Sequence, residues 1–177
     1  MRKLSSLAVL FVLAAALCAG SAAFAFDKNH LMKLEAKKSC PKCDLSKANL
    51  SKAILVKSIL NSANLSGASL SKANLEGAWL GKANLSGVNL RKADLGFAFL
   101  SKAKLQGANL FEANLSEAKL QYADLRNANL FGADLRKANL TGADFTGANI
   151  EGADMRGAKF CKTKMPWGLD NDDCPKD

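Results

Sequence analysis

The chain has 177 residues, a formal charge of +9, and 49% apolar but only 7% aromatic residues. This is enough for one domain with its own core and too apolar for bulk disorder. A single histidine, His30, rules out a multi-histidine metal site, and no glycine-rich phosphate loop, G-x-S-x-G or H-E-x-x-H occurs; the composition points away from an enzyme, and no cofactor or metal is expected.

The first segment reads as an address. Arg2 and Lys3 form a positive start, an apolar stretch runs from Leu4 to Leu17, and Ala23-Phe24-Ala25 gives an A-x-A cleavage site. Residues 1–25 are therefore expected to be a signal peptide, with the mature chain starting at Phe26. Cys18 would suit a lipoprotein signal, but Leu17 stands before it where a small residue is expected. The apolar run is short for a membrane span and no second one succeeds it, so the expected location is periplasmic or secreted.

Residues 26–43 come next. Leu31, Met32 and Leu34 lie among charges and predict a short amphipathic helix that lies over the start of a long repeat region. From Leu45 to Leu140 every fifth residue is Leu, 20 in succession, and Phe145, Ile150, Met155 and Phe160 keep the register, giving 24 units without insertion. With this position called i, position i−2 is Ala in 21 of the 24 units and i−1 is mostly Asn or Asp. A period of five fits neither element: on a helix it advances about 140° per unit, and on a strand it alternates faces. Within a unit, however, Ala(i−2) and Leu(i) share one side of an extended segment. Positions i+1 and i+2 must then turn the chain so that the next pair also faces inward. Nine units carry Gly at i+2, Gly67 and Gly87 among them, which suits a turn. The outcome is a coil, apolar inside and polar outside, that is stable only when stacked.

The units Ala48-Asn49-Leu50-Ser51-Lys52 and Ala63-Asn64-Leu65-Ser66-Gly67 resemble the pentapeptide-repeat family, A-(D/N)-L-x-x. The resemblance implies an all-β solenoid, a right-handed quadrilateral β-helix of four units per coil. Residues 44–160 would then make about six coils, roughly 29 Å at about 4.8 Å per coil, with a helical N-terminal cap and an irregular C-terminal cap over residues 161–177. On such a rod, bridges between the two caps are too long for a disulfide. Of the three pairings open to Cys40, Cys43, Cys161 and Cys174, this leaves Cys40–Cys43 and Cys161–Cys174, the second closing a loop over Met165 and Trp167. The C-x-x-C of Cys40 and Cys43 also admits a thiol–disulfide or, with His30, a metal-binding reading.

Coils of 20 residues turn the sequence into a surface map. Ile59, Trp79 and Phe99 fall in one outward column, with Lys82, Lys102 and Tyr122 on the same face. Lys52, Lys72 and Lys92 form a column assigned to the next face round, beside Arg91, Phe111 and Phe131. These columns are either protective ladders or a contact site. Residues 27–105 hold 14 basic and 5 acidic side chains, a balance that attracts anionic polymers. The expected function is a non-enzymatic exported scaffold or binding module, its basic and aromatic face (Trp79, Phe99, Lys82, Lys102, Tyr122, Lys52, Lys72, Lys92) turned to a protein or anionic partner, with homodimerisation open. Some family members mimic DNA to inhibit a type II topoisomerase; that needs a negative surface and cytoplasmic access, which this basic, exported chain does not offer. Nucleic acid is not an expected partner in an exported compartment.

Overall fold

The computed structural model describes residues 27–170 and Cys174; the signal-peptide reading of residues 1–25 lies outside the described residues. The described chain opens with α1, Lys28–Lys37. The Asp27 carboxylate caps it by accepting from the Asn29 N–H at 2.8 Å. Lys38 ends it at φ 52, and its N–H donates to the Leu34 carbonyl. Leu31 and Leu34, one turn apart, are buried in the same apolar cluster as Leu45, Leu50 and Leu55.

From Ser39 to Lys164 the backbone is a ladder of parallel bridges, each joining residues 20 apart, from Ser39–Ile59 to Asp144–Lys164. Twenty residues are four pentapeptides, so each turn of the coil has four sides, and each side stacks on itself one turn later. The sides are numbered from the units at residues 43–47, 48–52, 53–57 and 58–62. Up to residue 162 the coils contain none of the regular strands expected of an all-β chain. Each unit gives a single bridging residue at i−1, because two of its five residues are spent on the corner.

The backbone hydrogen bonds account for that geometry. In the unit around Leu65, the Asn64 N–H donates back to the Cys43 carbonyl, while the Leu65 and Gly67 N–H groups donate forward to the Asn84 and Ser86 carbonyls. The Ala68 N–H closes the corner on the Leu65 carbonyl at 3.1 Å. Every corner residue at i+2 lies at positive φ, as a type II turn requires of its third residue. Glycine fills nine of these corners, from Gly67 to Gly157, and the rest take the same dihedral with a side chain, Lys52 at 61° and Phe97 at 58° among them. That conformation costs an L-residue roughly 1 kcal/mol. The inter-coil bond from the i+2 N–H holds it in place.

Inside, the Leu column from Leu45 to Leu140 is buried throughout, and Ala at i−2 fills the space beside it. Each fully buried Leu contributes about 1.5–3 kcal/mol before chain entropy is set against it. Ser58, which replaces Ala, is fully buried, and among the described residues its hydroxyl has no hydrogen-bond partner.

The ladder runs one unit past residues 44–160 at each end. Cys40 occupies a Leu position, with its N–H on the Ile59 carbonyl at 2.8 Å. At the other end Lys164 bridges Asp144 and Met165 is buried in line with Phe145. The tail is not irregular there: β1 (Thr163–Met165) and β2 (Gly168–Asp170) pair as an antiparallel hairpin. The expectation that a loop covers Trp167 fails, since Trp167 sits at the hairpin turn and is 72% exposed. A two-residue turn leaves its side chains no coil to rest on.

Candidate functional site

The outward residue at i−1 has a local task on most of the rod. Four of the five N–H groups in a unit are used by the ladder and the corner, and the fifth belongs to i+1. Where i−1 is Asn or Asp, its side-chain oxygen accepts that N–H: Asn64 from Ser66 at 3.2 Å, Asp94 from Gly96 at 3.0 Å, Asp134 from Arg136 at 3.0 Å. The same side chains also link coils, Asn84 Nδ2 to Asn64 Oδ1 at 3.2 Å and Asn114 Nδ2 to Asp94 Oδ1 at 2.8 Å.

The fourth side departs from this rule. Its i−1 column reads Ile59, Trp79, Phe99, Lys119 before Asn139 restores the pattern. None of the first four side chains offers an oxygen to its corner. They stack on one another instead: the Trp79 and Phe99 rings lie 4.5 Å apart at 18°, and Lys119 Nζ stands 4.6 Å from the centre of the Phe99 ring. Ile59 and Trp79 remain nearly half exposed. Along one edge runs the corner column Lys57, Gly77, Phe97, Glu117, in which Phe97 projects and is 51% exposed. Gly77 leaves a notch partly walled by the Lys57 stem, since a Cβ there would lie 3.3 Å from Lys57 Cγ. Together these residues line a cleft of about 400 Å³ that includes Trp79 and Lys119. Lys57, Phe97 and Glu117, all at corners, escape a reading of the sequence focused on i−1. The available signal was a bulky Phe at a corner otherwise held by Gly or polar residues.

The other edge of the fourth side carries Lys82, Lys102 and Tyr122. Lys102 Nζ is 6.0 Å from the Tyr122 ring. That ring lies over Gly142, where a Cβ would come within 2.5 Å of it. Lys52, Lys72 and Lys92 do not adjoin this surface. Their unit is the second of the coil, two sides from the fourth, so they stand across the rod and not on the next face round. Lys92 there pairs with Glu112 at 2.8 Å. On the same second side Arg91 covers Phe111 at 4.2 Å, and Phe111 stacks on Phe131 at 5.5 Å.

Charge is organised differently on the first and third sides. Arg126, Arg136 and Arg156 each fork onto the Asp two residues before, with Arg136 Nε 2.9 Å from Asp134 Oδ1. The Arg156 side chain and then its backbone N–H hold the Asp154 carboxyl down at about 2. Hydrogen bonding by Arg126 and Arg136 likewise lowers Asp124 and Asp134.

Cys40 and Cys43 sit at bonding distance, Cα–Cα 5.4 Å, and both are buried. Cys161 and Cys174 are likewise joined, Cα–Cα 4.6 Å. His30 Nδ1 accepts the Asp44 N–H at 3.1 Å, which occupies that ring nitrogen. Among the described residues no group of three His, Cys, Asp or Glu side chains is placed to hold a metal, and no helix is long and apolar enough to cross a membrane.

Comparison with known proteins agrees with the repeat. The family profile described as "Pentapeptide repeats" matches in eight copies, over residues 43–78, 68–107, 108–147 and 123–160. Among solved structures the chain is similar to HetL, a pentapeptide repeat protein involved in heterocyst differentiation regulation from the cyanobacterium Nostoc sp. strain PCC 7120, at 32% identity over 73% of this chain and 75% of that one, TM-score 0.34. It is also similar to Rfr23, a pentapeptide repeat protein from the cyanobacterium Cyanothece 51142, at 33% identity over 78% of this chain and 95% of that one, TM-score 0.32. A third is QnrB1, a plasmid-mediated fluoroquinolone resistance protein, at 18% identity over 75% and 76%, TM-score 0.46. No curated protein sequence matches the chain.

Proposed function

The chain belongs to the pentapeptide-repeat family, whose members are scaffolds of the non-enzymatic kind, and from that premise we propose that it is an exported binding module whose fourth side docks a partner. In this reading residues 1–25 are removed near Ala25. The mature chain is a right-handed quadrilateral β-helix of about six coils, capped by α1 at one end and by the Cys161–Cys174 staple at the other. One observation carries the proposal: Trp79, nearly half exposed, stacks on the partly exposed Phe99 on the side where i−1 gives up its bond to the corner over four successive coils. Stacked aromatics facing solvent favour a protein partner. The test is retention of bacterial envelope proteins by the immobilised wild type and by Trp79→Lys plus Phe99→Lys. A defined protein held by the first and lost by the second supports the reading; identical retention overturns it. Export is tested separately, by whether the envelope form begins at Phe26.

A second reading, an anionic polymer as partner, rests on the first coil, whose corners Lys42, Lys47, Lys52 and Lys57 are all lysine. The ion pair of Lys92 with Glu112 limits the Lys52 column to its first two members. Salt-sensitive retention on heparin that falls with Lys52→Gln plus Lys72→Gln would favour it. Thiol exchange at Cys40 and Cys43 is disfavoured by their burial. DNA mimicry is disfavoured by the net charge of +9.

A further inference from the structure

We infer that the partner seated on the fourth side is a second copy of this chain, docked antiparallel. This rests on the reading of that side as a contact surface. Self-complementarity carries it. A twofold axis lying in the face and perpendicular to the stack reverses the order of the coils and leaves each column facing itself. Place the axis midway between the coil of Trp79 and that of Phe99. The corner column Lys57, Gly77, Phe97, Glu117 then meets its own reverse. Lys57 faces Glu117 of the second copy, and Phe97, which projects, faces the notch at Gly77. Each of these contacts occurs twice. In the neighbouring column Trp79 faces Phe99 of the second copy, and Ile59 faces the aliphatic stem of Lys119. A cation meets an anion, a knob meets a hole, and apolar surface meets apolar surface, without moving any backbone.

Two features set the strength and tilt of the contact. Among the described residues Glu117 pairs with an exposed Lys137 at 4.0 Å, a long surface contact that leaves it available for exchange. At the opposite edge the same operation sets Lys82 against Lys102 of the second copy, so the pair closes along the Phe97 edge and opens along the other. Four coils span roughly 14 Å at about 4.8 Å per step. A patch of that height lies at the low end of specific interfaces, below about 1,200 Å² in total, the size class of weak and transient contacts.

The experiment is sedimentation equilibrium of the purified chain from about 1 to 200 µM, for the wild type, Lys57→Glu, Glu117→Lys and the double variant. Both substitutions are at exposed corners, where the fold asks no more of the side chain than the long surface pair of Glu117 with Lys137. The expected result is a concentration-dependent wild-type dimer that each single reversal weakens about tenfold, because it places like charges opposite one another at two symmetry-related positions. The double variant restores the dimer, because Lys57 and Glu117 lie three coils apart within one chain and can meet only across the dyad. A wild type that stays monomeric overturns the inference, as does a dimer indifferent to the single reversals. A monomeric wild type that still loses envelope proteins on Trp79→Lys plus Phe99→Lys leaves the contact surface standing with a different occupant. If neither behaviour changes, the surface reading itself has failed.

Discussion

The third and fourth sides of the rod share one backbone and one interior, yet differ in what i−1 is for. On the third side, after an opening Ile54, Asn74, Asp94, Asn114, Asp134 and Asp154 each accept the N–H of their own corner. On the fourth, Ile59, Trp79, Phe99 and Lys119 leave the corner to itself and stack along the rod. The corners still close with the same Ala-to-Leu bond and the same positive φ. The side-chain bond at i−1 therefore supports the coil without being required by it. A side that forgoes it gains four outward positions free to vary.

The first way to break the comparison is from within. Leu95→Ala on the third side and Leu100→Ala on the fourth both empty a fully buried position. Each should cost about 2–5 kcal/mol in denaturant unfolding, and the two should agree within about 1 kcal/mol, since the interior does not distinguish the sides. A large disparity would mean the outer columns govern packing inside.

Ser58→Ala acts next, and in the opposite direction. It removes a buried hydroxyl with no partner and restores the Ala found at the other i−2 positions of the fourth side, from Ala78 to Ala158. Stability should rise by about 1–2 kcal/mol. A loss of stability would show that the hydroxyl is satisfied in solution.

A smaller effect separates the outer columns. Asn114→Ala loses the bonds to Ser116 and Asp94 and should cost about 1 kcal/mol. Lys119→Ala, with no corner to support, should stay within about 0.5 kcal/mol. Equal costs would erase the distinction between the two sides.

The smallest effect is in pH. Folding lowers the carboxyls of Asp124, Asp134 and Asp154 by hydrogen bonding to the arginines beside them, Asp154 to about 2. Their contribution is present above the unfolded value near 4 and lost as pH falls through the folded ones. The thermal midpoint should be level from neutral pH to about 4 and fall below it, more gently in Asp134→Asn plus Asp154→Asn. The fourth-side residues Ile59, Trp79, Phe99 and Lys119 include no carboxylate, so substitutions there should shift the midpoint equally at either pH. A difference between the two pH values would tie that side to the acid-sensitive network.

Much of the coil was legible in the sequence because its cause is local and repeated. Leu45 to Leu140 at fixed spacing forces one inward column, and Asn or Asp at i−1 marks the corner it serves. The ends were less legible. Cys40 and Met165 hold Leu positions without being Leu, so the count stopped one unit early at each, and the β1–β2 hairpin arises from a two-residue turn that the pentapeptide pattern does not encode. The surface was legible by column but not by neighbourhood. Trp79 and Phe99 stand out at i−1, whereas Phe97 reaches the same cleft from the corner of the preceding unit, and Lys52 drops out because its unit lies across the coil. Adjacency round a four-sided coil depends on counting units, which a column of like residues does not reveal.

Side-chain footprinting by hydroxyl radicals, with and without bacterial envelope extract and over a range of protein concentrations, tests the central claim most directly. The account predicts that Trp79, Phe97 and Phe99 are oxidised readily in dilute isolated protein and become protected together, while exposed Trp167 does not change. Unchanged oxidation of those three rings under every condition, or protection confined to Phe111 and Phe131 on the second side, would contradict it.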